Sequence, residues 1–422
     1  MKNLELLFFC FVSVVSCKNT AQKPAIPVEI KAESFPITIK IDEARSNHEI
    51  PLLSNFSEDV SYIILKTPSS VIIKSINDIQ ISNGNIFILE GLSNKVMVFD
   101  MNGNFKKQIG KIGRGPNEYL SLRSFCLDQN DEDLLFYTGY SGDVYKFNNN
   151  GELIGRLFRF PFADYMYSLD NKLVFSGFAG SNRNMPDNIT QFAITNLLGQ
   201  IIDSILCPIY SIDNWRNKQL FFPGNFRSTK FNGGLLLYGW GEDTLFQVRE
   251  SGKRKPKYFL DFGKYNNPIN TRYVSGSPEK LNSCIQAISP PFETYNNIFW
   301  KFALYGEAFI LRYDKRKHEA FTFFYKGEKK IDFARGRNSL NELGLMNDID
   351  GGPDFFPEWS VYNDSTQLFI CAKEAFKLKK ELTQEYFKSR EVKFPKKKDK
   401  LQELVNNLVE KDDYVLIIVK LI

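Results

Sequence analysis

A short turn motif returns along this chain at nearly constant spacing, and that period limits the fold more than any other feature. Phe99-Asp100-Met101-Asn102-Gly103 is followed by Phe147-Asn148-Asn149-Asn150-Gly151, by Ile194-Thr195-Asn196-Leu197-Leu198-Gly199 and by Val248-Arg249-Glu250-Ser251-Gly252. The turn glycines therefore stand 48, 48 and 53 residues apart. A fifth copy, around Tyr313-Asp314-Lys315-Arg316-Lys317, lacks the glycine. Periods of this length belong to chains that stack one supersecondary unit on the next.

Each unit reads as β-structure. In the first, Asn77 to Ile81, Ile86 to Leu89, Lys95 to Asp100 and Phe105 to Ile109 are short strand-like runs separated by turns such as Asn83-Gly84-Asn85, the pattern of successive hairpins. Sheets repeated at this period bury both faces against their neighbours, as propeller blades do, and the 38 Phe and 19 Tyr suit that packing. A β-helix would repeat at shorter intervals, and a β-sandwich would not keep the period. The expected fold class is all-β: a six-bladed β-propeller of four-stranded antiparallel blades. The blades fall near 76–120, 122–162, 165–215, 226–265, 285–330 and 345–422, with 37–75 as an opening segment.

The apolar run Tyr414 to Leu421 is expected to close the ring against strands from the other end of the chain, with Val60 to Leu65 close by. Closure of that kind removes the two open edges of an incomplete circle. Residues 373–412 are expected to form a short helical insertion in the last blade, with Leu401, Leu404, Val405, Leu408 and Val409 on one face. Residues 266–284 are rich in turns.

The start of the chain carries an address. Lys2 precedes an apolar run from Leu6 to Val15, which ends at Ser16-Cys17. This run is too short to span a bilayer and reads as a cleaved signal peptide, residues 1–16. Val14-Val15-Ser16-Cys17 is similar to the bacterial lipobox, which implies that Cys17 becomes the lipidated first residue of the mature protein. Residues 17–36, with prolines and little periodicity, then form a flexible tether, and 37–422 a single propeller domain. Cleavage removes one Lys and one Glu and leaves the net charge at +5, which gives no indication of nucleic acid. Cys126, Cys207, Cys284 and Cys371 are widely spaced and read as small buried hydrophobes, with one or two disulfides open in an oxidising compartment.

Asn77 to Tyr119 resembles the six-bladed β-propeller lipoproteins of Bacteroidota, relatives of the NHL and TolB-like propellers. The resemblance lies in Phe99-Asp100-x-x-Gly103 and in Gln108-Ile109-Gly110-x-x-Gly113-Arg114-Gly115-Pro116-x-Glu118-Tyr119. A second matching stretch is Asn347-Asp348-Ile349-Asp350-Gly351-Gly352-Pro353-Asp354-Phe355-Phe356-Pro357. The resemblance implies the fold, lipidation and a place in the cell envelope. It implies no activity. Lys18 after Cys17 lacks the Asp linked to inner-membrane retention, which points to the outer membrane.

Candidate chemistry is sparse. The glycines of 110–116 beside Lys111 and Arg114 could present N–H groups to an anion, but the P-loop spacing is missing. The same residues serve equally as a turn between blades in which Arg114 or Glu118 braces a neighbour. Asp348, Asp350 and Asp354 around Gly351-Gly352 could ligate Ca²⁺ or simply hold a turn. No other cofactor is suggested. Trp215, Trp240, Trp300 and Trp359 could stack on sugars or pack the core, and Tyr238-Gly239-Trp240-Gly241-Glu242-Asp243 is the most site-like of these stretches. The lysines of 377–400 read as a solvated helical face or as a contact for an anionic membrane or acidic partner.

The chain has two histidines, His48 and His318, neither placed like a central metal ligand. Gly-x-Ser-x-Gly, His-Glu-x-x-His and Asp-box motifs are missing. The expected function is a membrane-anchored, non-enzymatic binding module for a glycan, peptide or envelope protein. Its ligand-face candidates are Arg114, Glu118, Tyr119, Trp240, Asp348 and Asp350. Two alternatives stand beside it: an envelope assembly scaffold, and a hydrolase or lyase with carboxylates in the axial pocket, which convergent acids there would favour.

Overall fold

The computed structural model describes residues 36–115, 118–128, 134–138, 141–161, 163–177, 190–206, 228–239, 243–266, 283–305, 307–323, 343–363, 366–409 and 414–422. The signal segment, Cys17 and nearly all of the tether lie outside these residues, as do Cys207, Trp215, Trp240 and most of 266–284.

The opening segment supplies β1 (Ile37–Lys40), α1 (Ile41–Ala44), β2 (His48–Glu49) and β3 (Ser57–Ile64). Blade 1 follows as β4 (Ile76–Ser82), β5 (Asn85–Glu90), β6 (Lys95–Asp100) and β7 (Phe105–Ile109), and blade 2 as β8 (Ser124–Leu127), β9 (Leu134–Thr138), β10 (Asp143–Phe147) and β11 (Leu153–Arg159). Blade 3 is β12 (Tyr165–Leu169), β13 (Lys172–Ser176), β14 (Thr190–Asn196) and β15 (Ile201–Leu206). Blade 4 is β16 (Thr229–Phe231), β17 (Gly234–Leu237), β18 (Thr244–Val248) and β19 (Arg254–Asp261). Blade 5 has a divided inner strand, β20 (Gln286–Ala287) and β21 (Phe292–Glu293), then β22 (Asn297–Leu304), β23 (Glu307–Asp314) and β24 (Glu319–Phe323). Pro290 and Pro291 fall at the division, where they cannot donate to a ladder. Blade 6 takes β25 (Trp359–Asn363), β26 (Thr366–Glu374) and β27 (Tyr414–Leu421) from the end of the chain and β3 from its beginning.

The six-bladed propeller is thus closed as the two terminal runs suggest. β27 pairs antiparallel with β3, with Val415 opposite Ile64 and Val419 opposite Val60. The opening segment does more than close the ring. β1 adds in parallel to the outer edge of β19 and β2 to that of β24, so blades 4 and 5 carry one strand beyond the four expected. Both additions cover edges that would otherwise expose unpaired backbone groups.

Alternation along each strand builds the core. In β5, Ile86 and Ile88 face blade 6 while Phe87 and Leu89 face blade 2, and the whole strand is buried except at its first residue. Corresponding apolar layers fill the gaps between blades 2 and 3, 3 and 4, 4 and 5, and 5 and 6. Outer strands such as β11 (LIGRLFR) alternate half-buried and exposed residues, as sheets with one solvated edge do. A fully buried Leu or Phe in these layers contributes about 1.5–3 kcal/mol.

The recurring turn has a local cause. Asp100 Oδ1 accepts from the backbone N of Asn102 and Asn104 (2.9 Å each), and Asn148 and Asn196 repeat the arrangement. Gly103 follows at φ +79°, and a Cβ there would sit 2.0 Å from the Ile64 carbonyl oxygen of the neighbouring blade. The glycine therefore serves both the turn and the seam. In the fifth copy Asp314 accepts from Arg316 N and Lys317 N, and His318 takes the positive φ in place of glycine.

The helical insertion lies between β26 and β27 as α2 (Ala375–Glu381), α3 (Gln384–Lys388) and α4 (Pro395–Asn407). Leu378, Leu401, Val405 and Leu408 pack with Val415 of β27. Val409, expected on the same face, is 48% exposed, because the backbone turns extended at Leu408 and the helical period ends there. Cys126, Cys284 and Cys371 are buried free thiols.

Candidate functional site

The Gly-rich stretch 110–119 joins β7 to β8. Tyr119 is 3% exposed; its ring meets Phe136 edge-on at 5.7 Å and Phe147 at 6.4 Å, and its hydroxyl donates to the Asn94 carbonyl (2.9 Å). Glu118 turns back on its own loop, accepting from Gly115 N (2.8 Å) and pairing with Lys111 (2.7 Å). The Lys111 ammonium holds its carboxyl below the usual range. Arg114 is exposed. Tyr119 is thus packed in the seam between blades 1 and 2, while Arg114 alone of the three is turned to solvent.

The acidic stretch 347–354 fastens the helical insertion. Asp350 accepts from Asn347 Nδ2 (2.7 Å), Gly352 N (3.0 Å) and the Tyr62 hydroxyl (3.1 Å). Burial raises its pKa, and these three bonds oppose the rise. Asp348 accepts from Ser54 N (2.9 Å) and Ser54 Oγ (2.5 Å), and Asp354 from Arg390 (3.0 Å). Lys393 N donates to the Asp348 carbonyl and Phe394 N to the Ile349 carbonyl. The three carboxylates point to three separate sets of protein donors, and the described residues hold no group of three or more His, Cys, Asp or Glu arranged for a metal ion.

The structure brings together a different set. The inner strands of all six blades line an axial cavity of 470 Å³, within the range of about 300–1,000 Å³ usual for ligand sites. Blade 1 contributes Asp78 and Gln80, blade 2 Asp128, blade 3 Tyr167, blade 4 Ser228 and Lys230, blade 5 Phe292, and blade 6 Glu358, Trp359 and Tyr362. None of Arg114, Glu118, Tyr119, Asp348, Asp350 and Asp354 lines it. Trp240 lies outside the described residues.

Several lining groups are already engaged. Asp128 is 3% exposed and pairs with Lys146 at 3.7 Å. Tyr167 accepts from Ser228 N (2.8 Å), and Tyr362 from Asn232 N (3.0 Å). Lys230 is different: among the described residues its ammonium makes neither a hydrogen bond nor an ion pair. Burial lowers its pKa, against the opposing influence of the Cys126 thiol and Asp78. Carboxylates, an amine, hydroxyls and aromatic rings thus converge on one cavity, which suits orientation of a polar ligand.

This set forms no contiguous motif in the sequence, because its members are spread a few at a time over six blades. A faint signal exists: Asp78, Asp128 and Lys230 each lie 22 to 25 residues before the turn glycine of their own blade.

The sequence pattern described as "Domain of unknown function (DUF4934)" matches residues 36–420. No curated protein matches the chain. Among solved structures, a protein of Bacteroides fragilis described as exported superposes with a TM-score of 0.62 at 20% identity, covering 92% of this chain and 99% of its own. A member of the DUF4221 family from Bacteroides vulgatus gives 0.48 at 13% identity, covering 86% and 96%. Virginiamycin B lyase from Staphylococcus aureus gives 0.41 at 10% identity, covering 86% and 99%. The first likeness concerns the fold alone, and the two lower scores support nothing further.

Tyr119→Ala should cost about 3–5 kcal/mol, the usual range for removing a buried aromatic, whereas Arg114→Ala should leave stability within about 0.5 kcal/mol. Denaturant unfolding of both variants checks this. Equal, small effects would contradict the seam role of Tyr119.

Proposed function

The chain belongs to the DUF4934 family, and from its axial geometry we propose that it is an exported, membrane-anchored binding module whose axial cavity takes a small polar ligand. One observation carries this reading: all six inner strands deliver side chains to a single cavity in which Lys230 has no hydrogen-bond or ion-pair partner among the described residues. Polar groups fixed by the scaffold but lacking a partner are what a bound ligand satisfies.

Export rests on the signal-peptide reading of residues 1–16 and on the shared fold with the Bacteroides fragilis protein described as exported. The anchor rests on Cys17 at the end of the apolar run, and the outer membrane on Lys18 after it. A second reading, a hydrolase or lyase, is favoured by the convergence of Asp78, Asp128 and Glu358 on the same cavity. It differs in requiring turnover as well as occupancy.

Ser82 lines the cavity where β4 ends, so Ser82→Trp should plug it. In a thermal-shift panel of glycans, peptides and small acids, a ligand of the axial site raises the melting temperature of the native protein and not of the plugged one. A shift that survives the plug puts the site elsewhere. Release of ligand fragments that stops in Asp78→Asn or Glu358→Gln would instead select the enzyme. Separately, Cys17→Ala should move the protein from the membrane fraction to the soluble one; retention there would overturn the anchor.

A further inference from the structure

Lys230 stands on β16, only three residues long, and its backbone is held from blade 6: Ser360 Oγ donates to the Lys230 carbonyl (3.4 Å) and receives from Gln367 Nε2 (3.0 Å). Its neighbour Thr229 faces blade 5, donating to the Pro291 carbonyl (2.7 Å). Strand alternation sends Lys230 the other way, where Asp78 of blade 1 and the Cys126 thiol of blade 2 act on its ammonium. Lys230 of blade 4 and Asp78 of blade 1 thus line the cavity from opposite blades.

Two residues earlier, just before the strand begins, Ser228 also lines the cavity. It is 6% exposed, and among the described residues its Oγ has no hydrogen-bond partner. An orphaned buried hydroxyl costs about 1–3 kcal/mol. A second unsatisfied group beside an unpaired amine marks where ligand atoms belong. The Tyr362 hydroxyl accepts from Asn232 N and so keeps its own proton to donate.

The remaining charges narrow the ligand. Among the described lining residues, Lys230 is the one cation and Asp78, Glu358 and the Lys146-paired Asp128 are the acids. A dianion such as phosphate would meet this negative surround, whereas a monoanion that also carries donors satisfies both signs. We infer that Lys230 and Ser228 form the anion seat of the axial site, and that its ligand is a small carboxylic acid bearing hydroxyl or ammonium donors, of the sugar-acid or amino-acid kind. The inference rests on the axial cavity being the binding site.

The seat has a pH signature. Asp78 and Cys126 act on Lys230, and the other charged and titratable groups around the cavity are Asp128 with its partner Lys146, Glu358, Tyr167 and Tyr362. Burial favours the neutral amine, and a bound carboxylate restores the proton. Affinity is therefore full at low pH, while the amine is charged and the ligand ionised, and declines as pH rises at values below the ordinary lysine pKa of about 10.4.

The test is calorimetric titration of the native protein, Lys230→Met, Ser228→Ala and Ser82→Trp with D-glucuronate, L-threonine, D-glucose and inorganic phosphate. At least one of the two carboxylates should bind, about tenfold or more weakly to Lys230→Met, since hydrogen bonds to charged groups carry that much. Ser228→Ala, which removes an orphaned hydroxyl, should keep its melting temperature and bind several-fold more weakly. Glucuronate and threonine distinguish the two sources of the acid. Equal affinity in Lys230→Met, tighter binding of phosphate, or no carboxylate binding at tens of millimolar overturns the inference. Glucose binding that Ser82→Trp abolishes, with no carboxylate binding, would leave the axial site standing without its anion seat. Binding that ignores Ser82→Trp would remove both.

Discussion

Everything in this ring depends on one pairing: β27, the last strand of the chain, lies antiparallel against β3 near its beginning. A sheet of blades that fails to close leaves two apolar faces in water. Here those faces are the layers on either side of blade 6, which include Ile370, Leu416 and Ile418 toward blade 1 and Phe369, Ile417 and Val419 toward blade 5. Closure buries both at once, through a contact between residues more than 350 positions apart. Such a contact costs chain entropy that only a large buried area offsets. The same event fixes the axial cavity, because Trp359 and Tyr362 reach the axis only when blade 6 is in place.

The two stretches that stand out in sequence serve this architecture from outside the axis. Residues 110–119 lock blade 1 to blade 2 through the buried ring of Tyr119. Residues 347–354 tie the helical insertion to the ring through Asp348, Asp350 and Asp354. In each, the acids are engaged by protein donors, Glu118 by Lys111 and Gly115 N and the three aspartates by Ser54, Asn347, Gly352 N, Tyr62 and Arg390. Glycine and Asp are common in ion sites and in turns alike, and only the donors around them tell the two apart.

The fold was legible because its signals are local and repeated. Asp100, Asn148 and Asn196 each fold their own turn, and Gly103 must be glycine against Ile64. The extra edge strands β1 and β2 were not legible, since Ile37–Lys40 and the two residues His48–Glu49 carry no period and take their conformation from blades 4 and 5. Nor was the axial set. Lys230 sits on a three-residue strand, and its relation to Asp78, some 150 positions earlier, exists only once the ring has formed. Among the described residues, the unsatisfied groups that mark the cavity belong to tertiary structure rather than to any motif.

Hydrogen exchange across the ring, with and without a bound ligand, tests the central claim most directly. An axial ligand touches every blade, so exchange should slow together in β4, β8, β12, β16, β21 and β25, the inner strands whose residues line the cavity. Slowing confined to the 110–119 loop, to the helical insertion or to the outer strands would contradict an axial site and return the search to the surface of the ring.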